Sequence, residues 1–95
     1  MSNRPFISVV LPTYNRVQEI RRAIDSVISQ SFKDWELIIV DNFSSDGTRE
    51  VVASFLDDRI KFFQFLNEGN IAKSRNVGIQ RSKGQFIAFL DSDDY

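Results

Sequence analysis

Four short runs of apolar residues divide the chain at nearly even intervals: 6–11, 35–40, 60–66 and 85–90. They are rich in Val, Ile and Phe and lack the in-out alternation of a half-exposed strand, so each reads as a strand buried on both faces. The first is bounded by Pro5 and Pro12, and Pro12 is expected to end it. The intervening segments repeat with helical spacing. Val17, Ile20, Ile24, Val27 and Ile28 predict a helix running to about Gln30, with Asn15 as its N-cap and Gln18 at the capping-box position. Val51, Val52, Phe55 and Leu56 predict a second helix, starting near Asp46 or Thr48. Ile71, Ala72 and Ile79 predict a third, ending near Arg81 with Lys83-Gly84 as its stop.

Strands alternating with helices give a parallel sheet with right-handed crossovers. The predicted fold class is α/β: a three-layer αβα, Rossmann-like half domain with strand order 3-2-1-4. That order creates a switch point between strands 1 and 4, and ligands of open α/β sheets bind at the C-terminal strand ends beside such a point. The residues that stand out from this pattern gather at those ends. Thr13 and Tyr14 follow strand 1, Asp41 follows strand 2, and Asp91, Asp93 and Asp94 follow strand 4.

Composition removes several chemistries. The chain has 95 residues, which allow one domain, and contains neither Cys nor His. Disulfides, thiolate nucleophiles and Cys- or His-ligated zinc are therefore excluded. Any metal must be held by oxygen, which favours Mg²⁺, Mn²⁺ or Ca²⁺. Thirteen acids against twelve bases give a net charge of −1, a balance that does not suggest nucleic-acid binding. No apolar run approaches the ~20 residues of a membrane helix, and residues 1–5 lack the apolar core of a signal peptide, so a cytoplasmic location is the expectation. There is no glycine-rich dinucleotide fingerprint after strand 1 and no phosphate-loop motif.

The candidate site residues each support two readings on their own. Asp91 and Asp93, two apart in extended chain, with Asp94 next, suit a divalent cation that bridges to phosphate oxygens; they also suit a solvated acidic loop or a helix cap. Asp41, an acceptor only, suits a base with a ring N–H such as uracil, thymine or guanine; it also suits an Asx turn. Tyr14 can stack on a nucleobase or pack over the helix entrance. Arg75, facing inward if Ile71, Ala72 and Ile79 mark the core side, needs an anion: a diphosphate or the terminal aspartates. Gly69 and Gly78 permit close backbone approach.

Six motifs carry a family resemblance: Ser8-Val-Val-Leu-Pro-Thr-Tyr-Asn15, Glu36-Leu-Ile-Ile-Val-Asp41, Ser44-Ser-Asp-Gly-Thr48, Asn67-Glu-Gly69, Ser74-Arg-Asn-Val-Gly78 and Phe89-Leu-Asp-Ser-Asp-Asp94. In this order and spacing the chain resembles the family 2 glycosyltransferases of the GT-A fold. The resemblance implies an inverting, metal-dependent transferase that takes a sugar from a nucleotide-diphospho-sugar, with a UDP-sugar favoured and Mg²⁺ or Mn²⁺ as cofactor. It implies that Tyr14 lies against the base, with Pro12 and Thr13 lining that pocket, and that Asp41 bonds to the base. By the same resemblance Arg75 lies near the diphosphate, Asp91 approaches the ribose and Asp93 binds metal, with Asp91 beside it. In this family the general base and the acceptor half lie beyond the D-x-D, which here places both past Tyr95. Residues 1–95 are therefore expected to be the N-terminal donor-binding portion of a longer transferase, with no catalytic base of their own.

Further expectations follow. The fragment binds donor without turnover; strand 4, left as an apolar edge, pairs with another copy; and the parent protein works in the cytoplasm or at the inner face of a membrane, in cell-surface polysaccharide synthesis. The alternative is a non-catalytic nucleotide-binding or interaction module on the same fold. A phosphoacceptor domain of receiver type would need acids after strand 1, where this chain has Pro12-Thr13-Tyr14-Asn15.

Overall fold

The computed structural model of the chain describes residues 4–90. Four strands alternate with three helices: β1 (Ile7–Thr13), α1 (Val17–Ser29), β2 (Trp35–Asp41), α2 (Thr48–Ser54), β3 (Ile60–Gln64), α3 (Ile71–Arg81) and β4 (Phe86–Phe89). All strand pairs are parallel, in the order β3-β2-β1-β4. Fold class and strand order are those expected from the sequence.

The hand of the crossovers explains where the helices lie. The chain steps one way from β1 to β2 to β3, then reverses to reach β4. A crossover of fixed hand puts the first two helices on one face and the third on the other. On the first face Val9, Leu11, Leu37 and Ile39 pack against Ile20, Ile24 and Val27 of α1 and Val52 of α2. On the opposite face Val10, Ile38 and Val40 meet Val77 of α3, with Phe63 and Phe65 at the margin. β2 is buried along its whole length. Its side chains serve both layers, which is why its sequence reads as an unbroken apolar run.

Pro12 does not end β1, which continues to Thr13. The Val10 carbonyl accepts the Leu90 N–H at 2.9 Å, whereas the Thr13 carbonyl accepts the Asn42 N–H at 3.0 Å. Alternation therefore turns the backbone of Pro12, like that of Val10, towards β4. The last β1–β4 pair is Val10 with Phe89, so the ladder has already ended where Pro12 would need a donor.

Two helix expectations are corrected. Leu56 is not part of an apolar stripe: α2 stops at Ser54, Phe55 is extended, and Leu56 is 97% exposed. The buried face of α3 is not Ala72 and Ile79, which are exposed, but Ser74 and Gly78, with Ile71 and Val77 less exposed or at the margin of the core. Small residues are needed there because the helix lies close on β1. A Cβ added at Gly78 would fall 2.3 Å from Val10 Cγ1. β3 is an edge strand whose Phe62 and Phe63 pack on opposite faces and stay partly exposed, and Leu66 lies beyond its end.

Candidate functional site

Parallel strands bring their C-terminal ends to one rim, and the register there is direct: Thr13 pairs with Asp41, and Asp41 with Gln64. Thr13 and Asp41 are fully buried, and side-chain alternation turns both to the α1/α2 face. Pro12 is buried beside them. Tyr14, the next residue, leaves the sheet and is 44% exposed. The structure thus gathers Pro12, Thr13, Tyr14 and Asp41 at one place.

Arg75 lies elsewhere. It is half-buried in the second turn of α3, on the opposite face of the sheet, with its guanidinium carbon 5.9 Å from the Phe89 ring centre. This puts it on the flank of β4, beside the β1/β4 switch point. Asn76, the next residue, is exposed. Asp91, Asp93 and Asp94 lie outside the described residues. So does Tyr95, the position past which the general base is expected. Among the described residues no group of three or more acids is arranged to hold a metal ion. The donor set of this chain, oxygen without His or Cys, fits Mg²⁺ or Mn²⁺ in kind.

The rim loops are joined by polar contacts that the sequence reading missed. Both Asp41 oxygens are engaged by Ser44: its N–H donates to Oδ2 at 3.1 Å and its hydroxyl donates to Oδ1. Asp41 thus caps the loop that follows it, through the N–H three residues on rather than the two of an Asx turn, and the carboxylate stays at the rim. Ser44 Oγ also accepts the Asn15 N–H at 2.8 Å, and Asn15 Oδ1 accepts the Ser45 N–H at 2.8 Å. Asn15 is therefore not the N-cap of α1. It sits in the left-handed region at φ 47°, which asparagine tolerates better than most residues, and it stitches the first loop to the second. The cap position is Arg16, which makes no side-chain capping bond. That work falls to Asp46, whose Oδ2 accepts the Val17 N–H at 3.0 Å. Its Oδ1 accepts from the Thr48 hydroxyl at 2.6 Å and the Thr48 N–H at 3.3 Å. Desolvation opposes the Asp46 charge, but the Thr48 hydroxyl and the Val17 and Thr48 N–H groups outweigh it and hold the carboxyl below its usual range.

A second seam runs to α3. Asn67, fully buried in the loop after β3, donates its N–H to Asn42 Oδ1 at 3.0 Å and its side-chain amide to Ser74 Oγ at 2.8 Å. Its Oδ1 accepts the Gly69 N–H at 2.9 Å. Asn70 caps α3 by accepting the Ala72 N–H at 3.1 Å. The available signal was the density of Asn, Ser and Asp in 42–48 and 67–70, which marks turns but not their partners.

Comparison with known proteins gives a consistent picture. Residues 8–95 match the family model described as Glycosyl transferase family 2. The chain is 40% identical over 93 residues to a putative teichuronic acid biosynthesis glycosyltransferase, TuaG, of Bacillus subtilis, covering 96% of this chain and 37% of that protein. It is 42% identical over 88 residues to the UDP-Glc:alpha-D-GlcNAc-diphosphoundecaprenol beta-1,3-glucosyltransferase WfgD of Escherichia coli, covering 93% and 35%. The chain thus spans little more than a third of the length of these curated relatives. Among solved structures, S. aureus TarS 1-349 in complex with UDP-GlcNAc superposes with a TM-score of 0.86 at 35% identity, covering 94% of this chain and 27% of that one. The mannosyltransferase PcManGT from Pyrobaculum calidifontis, in complex with GDP-Man and Mn²⁺, gives 0.82 at 25% identity, covering 95% and 28%.

Proposed function

The chain belongs to glycosyl transferase family 2 and has the GT-A type of α/β fold, and from that premise we propose that it is the donor-binding part of a longer, inverting sugar transferase. The donor is a nucleotide-diphospho-sugar, with a UDP-sugar favoured. The observation that carries this reading is the rim itself: a buried carboxylate, Asp41, and a half-exposed aromatic ring, Tyr14, held together at the C-terminal ends of β1 and β2. Asp41 accepts the ring N–H of the base and Tyr14 stacks on its face, with Pro12 and Thr13 as the pocket floor. Uracil, with an N3–H, matches the acceptor. The solved TarS complexes with UDP-GlcNAc and UDP support that choice.

Arg75 lies beside the switch point and supplies positive charge for the diphosphate. Asp91 and Asp93 would hold Mg²⁺ or Mn²⁺, and Asp91 would also approach the ribose. When bound, the ion supplies Lewis-acid stabilisation of the departing diphosphate. PcManGT, solved with Mn²⁺, supports a metal of this class. An inverting displacement also needs a base on the acceptor hydroxyl. We assign none to residues 1–95 and place it in the part of the transferase that follows Tyr95, so the segment binds donor without turning it over. The names of TuaG and WfgD, a teichuronic acid biosynthesis enzyme and a glucosyltransferase acting on a diphosphoundecaprenol-linked sugar, support a role in cell-surface polysaccharide assembly, which we place in the cytoplasm or at a membrane face.

Calorimetric titration of UDP into the chain, with and without Mn²⁺, tests the reading. Binding that Mn²⁺ strengthens, and that Asp93→Ala makes indifferent to Mn²⁺, is the expected result. UDP binding with the same Mn²⁺ response in the Asp93→Ala protein would remove the metal assignment, and no UDP binding at all would remove the donor site.

A further inference from the structure

We propose that Ser44 is a positioning residue for nucleobase selection, fixing Tyr14 and Asp41 relative to each other; this rests on the donor-binding reading above. Ser44 bonds to Asp41 and to the residue that follows Tyr14. Its hydroxyl hydrogen goes to Asp41 Oδ1, its N–H goes to Asp41 Oδ2, and its oxygen accepts the N–H of Asn15, the residue after Tyr14. One hydroxyl therefore acts as donor to one candidate base contact and acceptor from the loop that carries the other.

The consequence is chemical selection. With two hydrogen bonds from Ser44, the Asp41 carboxylate is held in one rotamer, and its remaining lone pairs are aimed by the protein. Asn15, at φ 47°, would not be kept in the left-handed region by its own preference alone, and its bonds to Ser44 and Ser45 hold it there. Uracil presents N3–H to such a carboxylate, whereas cytosine presents an N3 acceptor and would set lone pair against lone pair. A fixed carboxylate rejects cytosine; a carboxylate free to turn away does not.

The experiment measures the affinities of the chain for UDP and CDP, in Mn²⁺, for the unaltered protein and for Ser44→Thr and Ser44→Ala. Ser44→Thr keeps the hydroxyl and is expected to keep the UDP preference. Ser44→Ala is expected to lower the UDP:CDP ratio about tenfold, the loss of a charge-assisted hydrogen bond and of the rotamer it fixed. A purely structural role would weaken both nucleotides together and leave the ratio unchanged, which overturns the proposal. If Ser44→Ala does not fold, the nearly isosteric Ser44→Cys, a poor donor and acceptor, reads the same ratio with the same two outcomes. An unaltered protein that binds UDP and CDP equally overturns the base assignment itself, a result distinct from a preference that survives Ser44→Ala.

Discussion

The Asp46 carboxylate accepts the backbone N–H of Val17 at 3.0 Å, so a residue just ahead of α2 caps α1. The same carboxylate holds the first residue of α2 through Thr48. One side chain thus secures the entrances of both helices on that face of the sheet.

Loss of this double cap is expected to destabilise the fold by about 1–2 kcal/mol in Asp46→Ala. The effect is expected to depend on pH. The Asp46 carboxyl is held below its ordinary value of 3.8, so its contribution is present above that value and is lost as pH falls below it towards the folded-state pKa. Asp57, lowered chiefly by its hydrogen bond from Arg59, adds a loss in the same window. Urea denaturation of the original and Asp46→Ala proteins between pH 6 and about 2 should show the difference between them shrinking at the acid end. A difference that stays constant across that range would exclude the charged cap.

Gly78→Ala tests how closely α3 lies on β1. Alanine improves helix propensity by about 1 kcal/mol, which alone would stabilise the protein. Its methyl group, however, would stand 2.3 Å from Cγ1 of the fully buried, β-branched Val10. Overpacking is expected to win, for a net loss of about 1–2 kcal/mol. Thermal denaturation decides the sign: a raised melting temperature would mean that the helix shifts without strain. Gly78→Ala with Val10→Ala should recover part of the loss.

The opposite pole of the sheet carries a buried carboxylate. Glu36, 6% exposed, accepts the Ser8 hydroxyl at 2.6 Å and the Lys83 N–H at 2.6 Å, and Ser8 Oγ accepts the Gly84 N–H at 2.7 Å. These bonds tie the starts of β1 and β2 to the turn entering β4. Glu36→Ala strands those donors and is expected to cost about 2–4 kcal/mol, whereas Glu36→Gln keeps an acceptor and should cost about half as much. Chemical denaturation ranks the two. Equal losses would show that the carboxylate charge, not its acceptor geometry, is what the pole requires.

Element order, strand order and the gathering of Thr13, Tyr14 and Asp41 at one rim were legible in the sequence, because each follows from local apolar runs and the fixed hand of crossovers. Partners across the fold were not. Asn15 has the residue type of an N-cap, yet the cap comes from Asp46, 29 residues away from Val17, and no local pattern encodes that choice. α3 was misread for a related reason. Its apolar residues suggested Ala72 and Ile79 as the inner face, but the approach to Val10 selects size over hydrophobicity and places Ser74 and Gly78 inside. The buried role of Glu36 was hidden because a single charged residue at a strand start resembles a solvated one.

Tyr14→Ala is expected to weaken UDP binding by about tenfold, the magnitude of one base–aromatic stack, with little change in stability, since the ring is already 44% exposed. Titration calorimetry beside a melting curve separates the two effects. Unchanged UDP affinity would take Tyr14 out of the base pocket.

Hydrogen bonds run from Thr13 through Asn42 and Asn67 to Ser74 and α3, and from Asp41 through Ser44 to Asn15. These loops give up their conformational freedom when the chain folds. On the donor-binding reading proposed above, a nucleotide arriving later meets a wall already in place, and the entropy of ordering that wall is not subtracted from its affinity.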